Sequence, residues 1–171
     1  MSLAEDLLSQ ATMLIRKERR RPRQASLRRA LSTAYYALFH LLVSDASKLL
    51  STKQKVRNLV GRAFAHGDMK AVSKWYASGG LPVFLHSAAP AMPVPKELKD
   101  VAETFVEAQE ARHHADYNLA RVFLRSDAKE LVDRVAAAFA KWKSVRNHDH
   151  AQLFLAALLL ADRIRRPLEN A

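Results

Sequence analysis

Apolar residues recur at alternating steps of three and four along most of this chain, the period of helices that turn one face to a core. From Leu3, the positions Leu7, Leu8, Ala11, Leu14 and Ile15 predict a first helix that runs to about Arg20 and is stopped by Pro22. Gln24 to Leu50 reads as a long second helix with the seam Leu27, Leu31, Ala34, Leu38 and Leu41. Shorter helices follow over about Thr52 to Ala65, carrying Val56, Leu59, Val60 and Phe64, and from Asp68 to Tyr76. Between Ala77 and Pro95 the pattern fails, because Gly79, Gly80, Pro82, Pro90, Pro93 and Pro95 are costly inside a helix, and a long irregular connection is predicted. Such a connection is usually functional or mobile. The period resumes at Lys96 with Val101, Phe105, Ala108, Arg112, Ala115, Leu119 and Val122. Ser126 suits the N-cap of the next helix, whose seam is Leu131, Val135, Ala138, Trp142 and Val145. Asp149 with Gln152 reads as a capping box for a last helix, Ala151 to Arg165, apolar on nearly all sides and so central or at a dimer interface. No run alternates with the period of two that a strand requires. The expected fold is an all-α antiparallel bundle of about five to six helices, one domain spanning residues 1–171.

Composition narrows the setting. The absence of cysteine excludes disulfides, thiolate zinc sites and cysteine nucleophiles. The opening MSLAEDLLSQ is amphipathic and acidic, unlike an export signal, so a cytoplasmic location is expected. The longest apolar run, Leu153 to Ala161, is too short to cross a bilayer, and no membrane partner is expected. With 28 Lys and Arg against 17 Asp and Glu, the formal charge is +11, a surplus that calls for an acidic partner, most commonly nucleic acid, although an anionic membrane surface or an acidic protein satisfies the same charge. The densest knot is RKERRRPRQASLRR, Arg16 to Arg29, in which Arg19, Arg20, Arg21, Arg23, Arg28 and Arg29 are phosphate-binding candidates. A merely solvated turn has the same composition.

Arg112 breaks the local rule, since a guanidinium in a core seam must be paired. Asp116 stands four residues on, with Tyr117 beside it. Two readings of the pair stand: a register-fixing ion pair, or the lining of a cleft between helices. On the second helix Arg29, Thr33, Tyr36 and His40 share one face, and Arg28, Ser32, Tyr35 and Phe39 the neighbouring one. Together these faces make either a polar groove for phosphate and base stacking or a core whose tyrosine hydroxyls reach its rim. Among the histidines, His113 and His114 point about 100 degrees apart on a helix and do not share a metal. His148 and His150 lack the spacing of helical zinc sites. No metal or cofactor site is expected, and no phosphate loop, dinucleotide motif or nucleophile elbow is present.

The segment RRALSTAYYALFHLL, Arg28 to Leu42, followed by EARHHADYN, Glu110 to Asn118, resembles the HEPN superfamily of prokaryotic helical bundles. The shared elements are Tyr-Tyr-Ala-hydrophobic-Phe and Arg-x-x-x-Asp-Tyr, the latter being Arg112, Asp116 and Tyr117. The resemblance implies a four- or five-helix bundle that dimerises, and a role as RNA-cutting toxin or as partner of a nucleotidyltransferase antitoxin. The Arg-x(4–6)-His motif of the catalytic members is not intact: after Arg112 come Asp116 and Tyr117 where the histidine belongs, and Arg146 reaches His150 after only three residues. The reading preferred on this basis is a dimeric RNA- or nucleotide-binding module of a toxin-antitoxin or stress system, not itself catalytic, with Tyr36, His40, Arg112, Asp116 and Tyr117 around one polar cleft. The alternatives are a metal-independent ribonuclease using Arg146 with His148 or His150, or Arg112 with His113 or His114, and a structural dimerisation protein.

Overall fold

The computed structural model describes residues 1–169, with side chains as far as Leu160. Among the described residues there are seven α-helices, one short 3-10 turn and no strand: α1 Leu3–Arg16, α2 Gln24–Leu50, α3 Gln54–Gly61, α4 His66–Ser78, α5 Lys96–Tyr117, α6 Arg125–Val145 and α7 Asp149–Glu169. None of them is long and apolar enough to cross a membrane. The chain divides into two compact units, one formed by Met1–Leu41 with Thr104–Ala140, the other by Leu42–Glu103 with Lys141 onward.

In the first unit α1 opens on a capping box, in which Ser2 Oγ accepts from the Glu5 amide and the Glu5 carboxylate accepts from the Ser2 amide at 2.9 Å. The helix ends at Arg16, a full turn before the expected Arg20. Pro22 has no N–H to give the Glu18 carbonyl, and Arg125 supplies the missing donor there and to the Arg19 carbonyl. Glu18, the single acid of the basic run, ties the turn to the start of α2 by accepting from the Ser26 hydroxyl at 2.8 Å and the Arg23 amide at 3.4 Å. That hydroxyl bond is the main reason its carboxyl titrates below the ordinary value. Leu27, Leu31, Ala34 and Leu38 are buried as the seam predicts, with Phe105, Ala108 and Ala115 of α5 and Leu131, Val135 and Ala138 of α6.

The same α5 seam was expected to continue through Leu119 and Val122. Instead α5 stops at Tyr117, and these two side chains are 88% and 71% exposed. Arg28 explains the stop. Its guanidinium donates to the carbonyls of Ala115 at 2.8 Å, Asn118 at 3.0 Å, Leu119 and Arg121, gathering the end of α5 and the following loop around one cation. The Gln24 side chain then grips Phe123 in both directions, donating to its carbonyl at 2.8 Å and accepting from its amide at 2.9 Å. Ser126 is not the N-cap of α6, which already begins at Arg125; the Asp127 carboxylate instead accepts from the Leu124 amide.

In the second unit α4 packs on α7 through Tyr76 and Phe154, whose rings lie 4.9 Å apart. At the end of α4, Gly79 adopts φ +74°, a left-handed C-cap that side chains with a Cβ resist. The connection after it is tied down at several points. Phe84 packs edge-on to Trp75, Leu85 is buried in the 3-10 turn Val83–Leu85, His86 Nε2 meets the Leu81 carbonyl at 2.9 Å, and His150 Nε2 meets that of Met92 at 2.7 Å. The start of α7 is Asp149, two residues before the expected Ala151, with a His148 ring nitrogen accepting from the His150 amide at 3.2 Å. The capping box of Asp149 with Gln152 is therefore not formed at this boundary. Trp142 is fully buried and donates to Asp45 at 2.8 Å. The side chains of α7 beyond Leu160, on which its expected all-round apolar character partly rests, lie outside the described ones.

Candidate functional site

Arg112 is half-buried on α5, not sealed in the seam. Its Nε stands 2.8 Å from Asp116 Oδ2 one turn on, and the other carboxylate oxygen accepts from Ser32 Oγ of α2 at 2.6 Å. Arg before Asp is the weaker order for a helical pair, and Ser32 compensates by fixing the carboxylate from outside the helix. Around the guanidinium lie the rings of Tyr36, Tyr117 and Tyr35, with centroids 5.7, 5.8 and 6.0 Å from its central carbon. Distances of this order are within reach of the attraction between a cation and an aromatic face. Burial works against the charge of Arg112, but Tyr36, Asp116, Tyr117 and Tyr35 together outweigh it and raise its pKa, so the group stays cationic at every working pH.

The three rings differ in exposure. Tyr35 is fully buried, packed against Tyr36 at 5.2 Å and Phe105 at 5.5 Å, and burial pushes its hydroxyl pKa up despite the nearby Arg112. Tyr36 is half-buried. Tyr117 is 65% exposed and leans on the imidazole of His113 at 5.2 Å. The Nε of Arg112 is buried and meets the Asp116 carboxylate as an ion pair, without the alignment of a hydrogen bond. The result is a guanidinium paired with one carboxylate and walled by aromatic faces, the kind of group that recognises oxyanions.

Of the residues expected around one cleft, Tyr36, Arg112, Asp116 and Tyr117 come together. His40 lies beside the group, ring to ring with Tyr36 at 6.4 Å, and burial lowers its pKa. Ser32 and Tyr35 belong to the site although the expected cleft did not include them. Their signal was their spacing: Arg28, Ser32 and Tyr35 share a face of α2, and Arg28 reaches the end of α5 on that side.

Of the phosphate-binding candidates, Arg19, Arg20, Arg21, Arg23 and Arg29 are exposed in the same unit. Arg28 is engaged by backbone carbonyls and serves the fold. In the second unit Arg146 is exposed and His148 half-buried, while His150 is buried, with one ring nitrogen on the Met92 carbonyl and the other without a partner among the described residues. The two imidazoles stack in parallel at 5.8 Å and serve the start of α7. Among the described residues no three His, Asp or Glu side chains converge as metal ligands would. Compared with family models, curated proteins and solved structures, the chain shows no match in any of the three.

Proposed function

We propose that the first unit is a HEPN-like module that binds RNA or nucleotide through Arg112, without itself being catalytic. The observation that carries this reading is the guanidinium fork of Arg112, fixed by Asp116 and Ser32 and surrounded by tyrosine faces. A planar fork suits a phosphate, and an exposed ring such as Tyr117 suits a stacked base. The exposed arginines of the turn before α2 add sequence-independent phosphate contacts in the same unit. A toxin-antitoxin or stress setting, a homodimer and a nucleotidyltransferase-type partner belong to the same proposal through the resemblance of Arg28 to Leu42 and Glu110 to Asn118.

One observation favours ribonuclease activity as a second reading. His113 is exposed, adjoins Arg112 and rests on Tyr117, so an imidazole capable of proton transfer stands near a guanidinium able to stabilise a phosphorane. The pairing of Arg146 with His150 has no such support, because His150 is sealed in.

Fluorescence anisotropy with a labelled single-stranded RNA tests both readings. Affinity falls steeply with salt, with a log-log slope of about 0.7 per phosphate contact. Arg112→Lys keeps the charge but loses the fork and weakens binding about tenfold, as does Tyr117→Ala. Gln in place of Arg19, Arg20 and Arg21 lowers the salt slope. No binding at low salt, or binding indifferent to salt, defeats the proposal. Cleavage of the same RNA that is abolished by His113→Ala replaces it with the second reading.

A further inference from the structure

The hairpin formed by the end of α2 and α3 lies in the second unit and takes no part in the Arg112 site. Between Asp45 and Asp68 the chain carries Lys48, Lys53, Lys55, Arg57 and Arg62 and no acidic residue. Asp45 is itself engaged, by Lys48 at 2.8 Å and by the Trp142 indole at 2.8 Å. α3 has no buried residue. Val56 is 39% and Leu59 68% exposed, and Val60 shares their face one turn on. Leu49 and Leu50, at the end of α2, are 52% and 57% exposed. The last turn of α3 lies close to α2, since a methyl added at Gly61 would stand 3.6 Å from Val43 Cγ1. Exposed aliphatic side chains thus occur at the end of α2 and along α3, in a stretch of sequence whose charged residues from Lys53 to Arg62 are all positive. The start of α3 is poorly satisfied on its own: Lys53 at the N-cap makes no side-chain bond, and no acid sits in the first turn to favour the helix dipole.

We infer that this hairpin is a docking surface for an acidic amphipathic helix of a partner protein. Exposed large aliphatics clustered on a short element form the kind of patch that marks a contact site, and a frame of one sign selects an occupant of the other. A helix with leucines at steps of three and four lays its apolar side on Val56 and Leu59 while its carboxylates meet Lys53, Lys55 and Arg62. A second copy of this chain is a poor occupant, because it brings the same positive frame on a molecule of charge +11. RNA answers the charges and leaves the aliphatics unmatched. A helix that lies in a bilayer surface anchors through Trp, Phe or Leu, but α3 is only 8 residues long and exposes Val56 and Leu59 alone as large aliphatics, a small area for such an anchor.

The test uses the full chain and a fluorescein-labelled synthetic helix of leucines at steps of three and four with glutamates elsewhere. Its controls are a scrambled peptide and one with lysine in place of glutamate. The acidic helix is expected to bind about tenfold tighter than either control. Val56→Ser with Leu59→Ser weakens it about tenfold. Lys53→Glu with Lys55→Glu transfers the preference to the lysine peptide. All four side chains are exposed, so the fold is retained, as circular dichroism checks. Affinity for single-stranded RNA is unchanged in these variants, which separates this surface from the Arg112 site. The inference is overturned if the acidic helix binds no better than its scrambled form. It is equally overturned if vesicles of phosphatidylcholine and phosphatidylserine bind through Leu59 while the peptide does not.

Discussion

The Asp116 carboxylate is shared between a guanidinium on its own helix and a hydroxyl from another, and each partner has a measurable worth. Ser32→Ala removes a hydrogen bond to a charged group and is expected to cost about 1–2 kcal/mol in urea unfolding. Asp116→Ala costs more, since it also strips Arg112 of its counter-ion while three aromatic rings still enclose it. Because both act through one carboxylate, Ser32→Ala adds little once Asp116 is gone. His40 gives a test in pH. Burial lowers its pKa from the ordinary 6.5, so the folded state favours neutral imidazole. As pH falls below that ordinary value the unfolded chain takes up a proton that the folded one does not. Stability therefore declines until the lowered folded pKa is passed. His40→Phe is expected to flatten this decline in thermal unfolding between about pH 8 and 5, relative to the parent chain. The sequence exposed Arg112 as an exception within its seam, and the spacing to Asp116 named its partner. It did not show Ser32 as the third member, because a short hydroxyl on a buried face looks alike whether it meets a carboxylate or its own helix.

Helix cores were legible in the sequence and helix ends were not. The seams of α2 and α6 are buried nearly as their spacing requires, from Leu27 to Leu38 and from Leu131 to Val145. The ends failed wherever a long side chain from far away decided the matter. Apolar spacing carried α5 on to Val122, but Arg28 collects the carbonyls after Ala115 and terminates it. Likewise α1 stops early where Pro22 has no amide for the Glu18 carbonyl, and Arg125 donates to that carbonyl and to that of Arg19 instead. Arg28→Met keeps the aliphatic stem and removes the donors. It is expected to destabilise the chain by about 1.5–3 kcal/mol, with amide hydrogen exchange accelerating first at residues 118–123. Exchange there that matches the parent chain would show that the loop holds its shape without Arg28.

For the molecule as a whole, the periodicity was enough to establish an all-helical chain. It did not reveal the division into two units, each assembled from two separate stretches of sequence. A seam reports that a face is buried but not which distant residues cover it, and the breaks at Leu41 and Leu42, or at Glu103 and Thr104, fall inside uninterrupted helical patterns. The charge of +11 was equally plain from composition, while its allocation was not: some arginines bind the fold's own carbonyls and others are left to solvent. That allocation bears on vectorial synthesis. The turn between α1 and α2 is fixed by groups on Phe123 and Arg125, about a hundred residues later in the chain. A nascent chain therefore displays its densest cluster of arginines with only the local ties of Glu18 until about a hundred further residues have been added. The turn acquires its final form only once Phe123 and Arg125 have emerged from the ribosome.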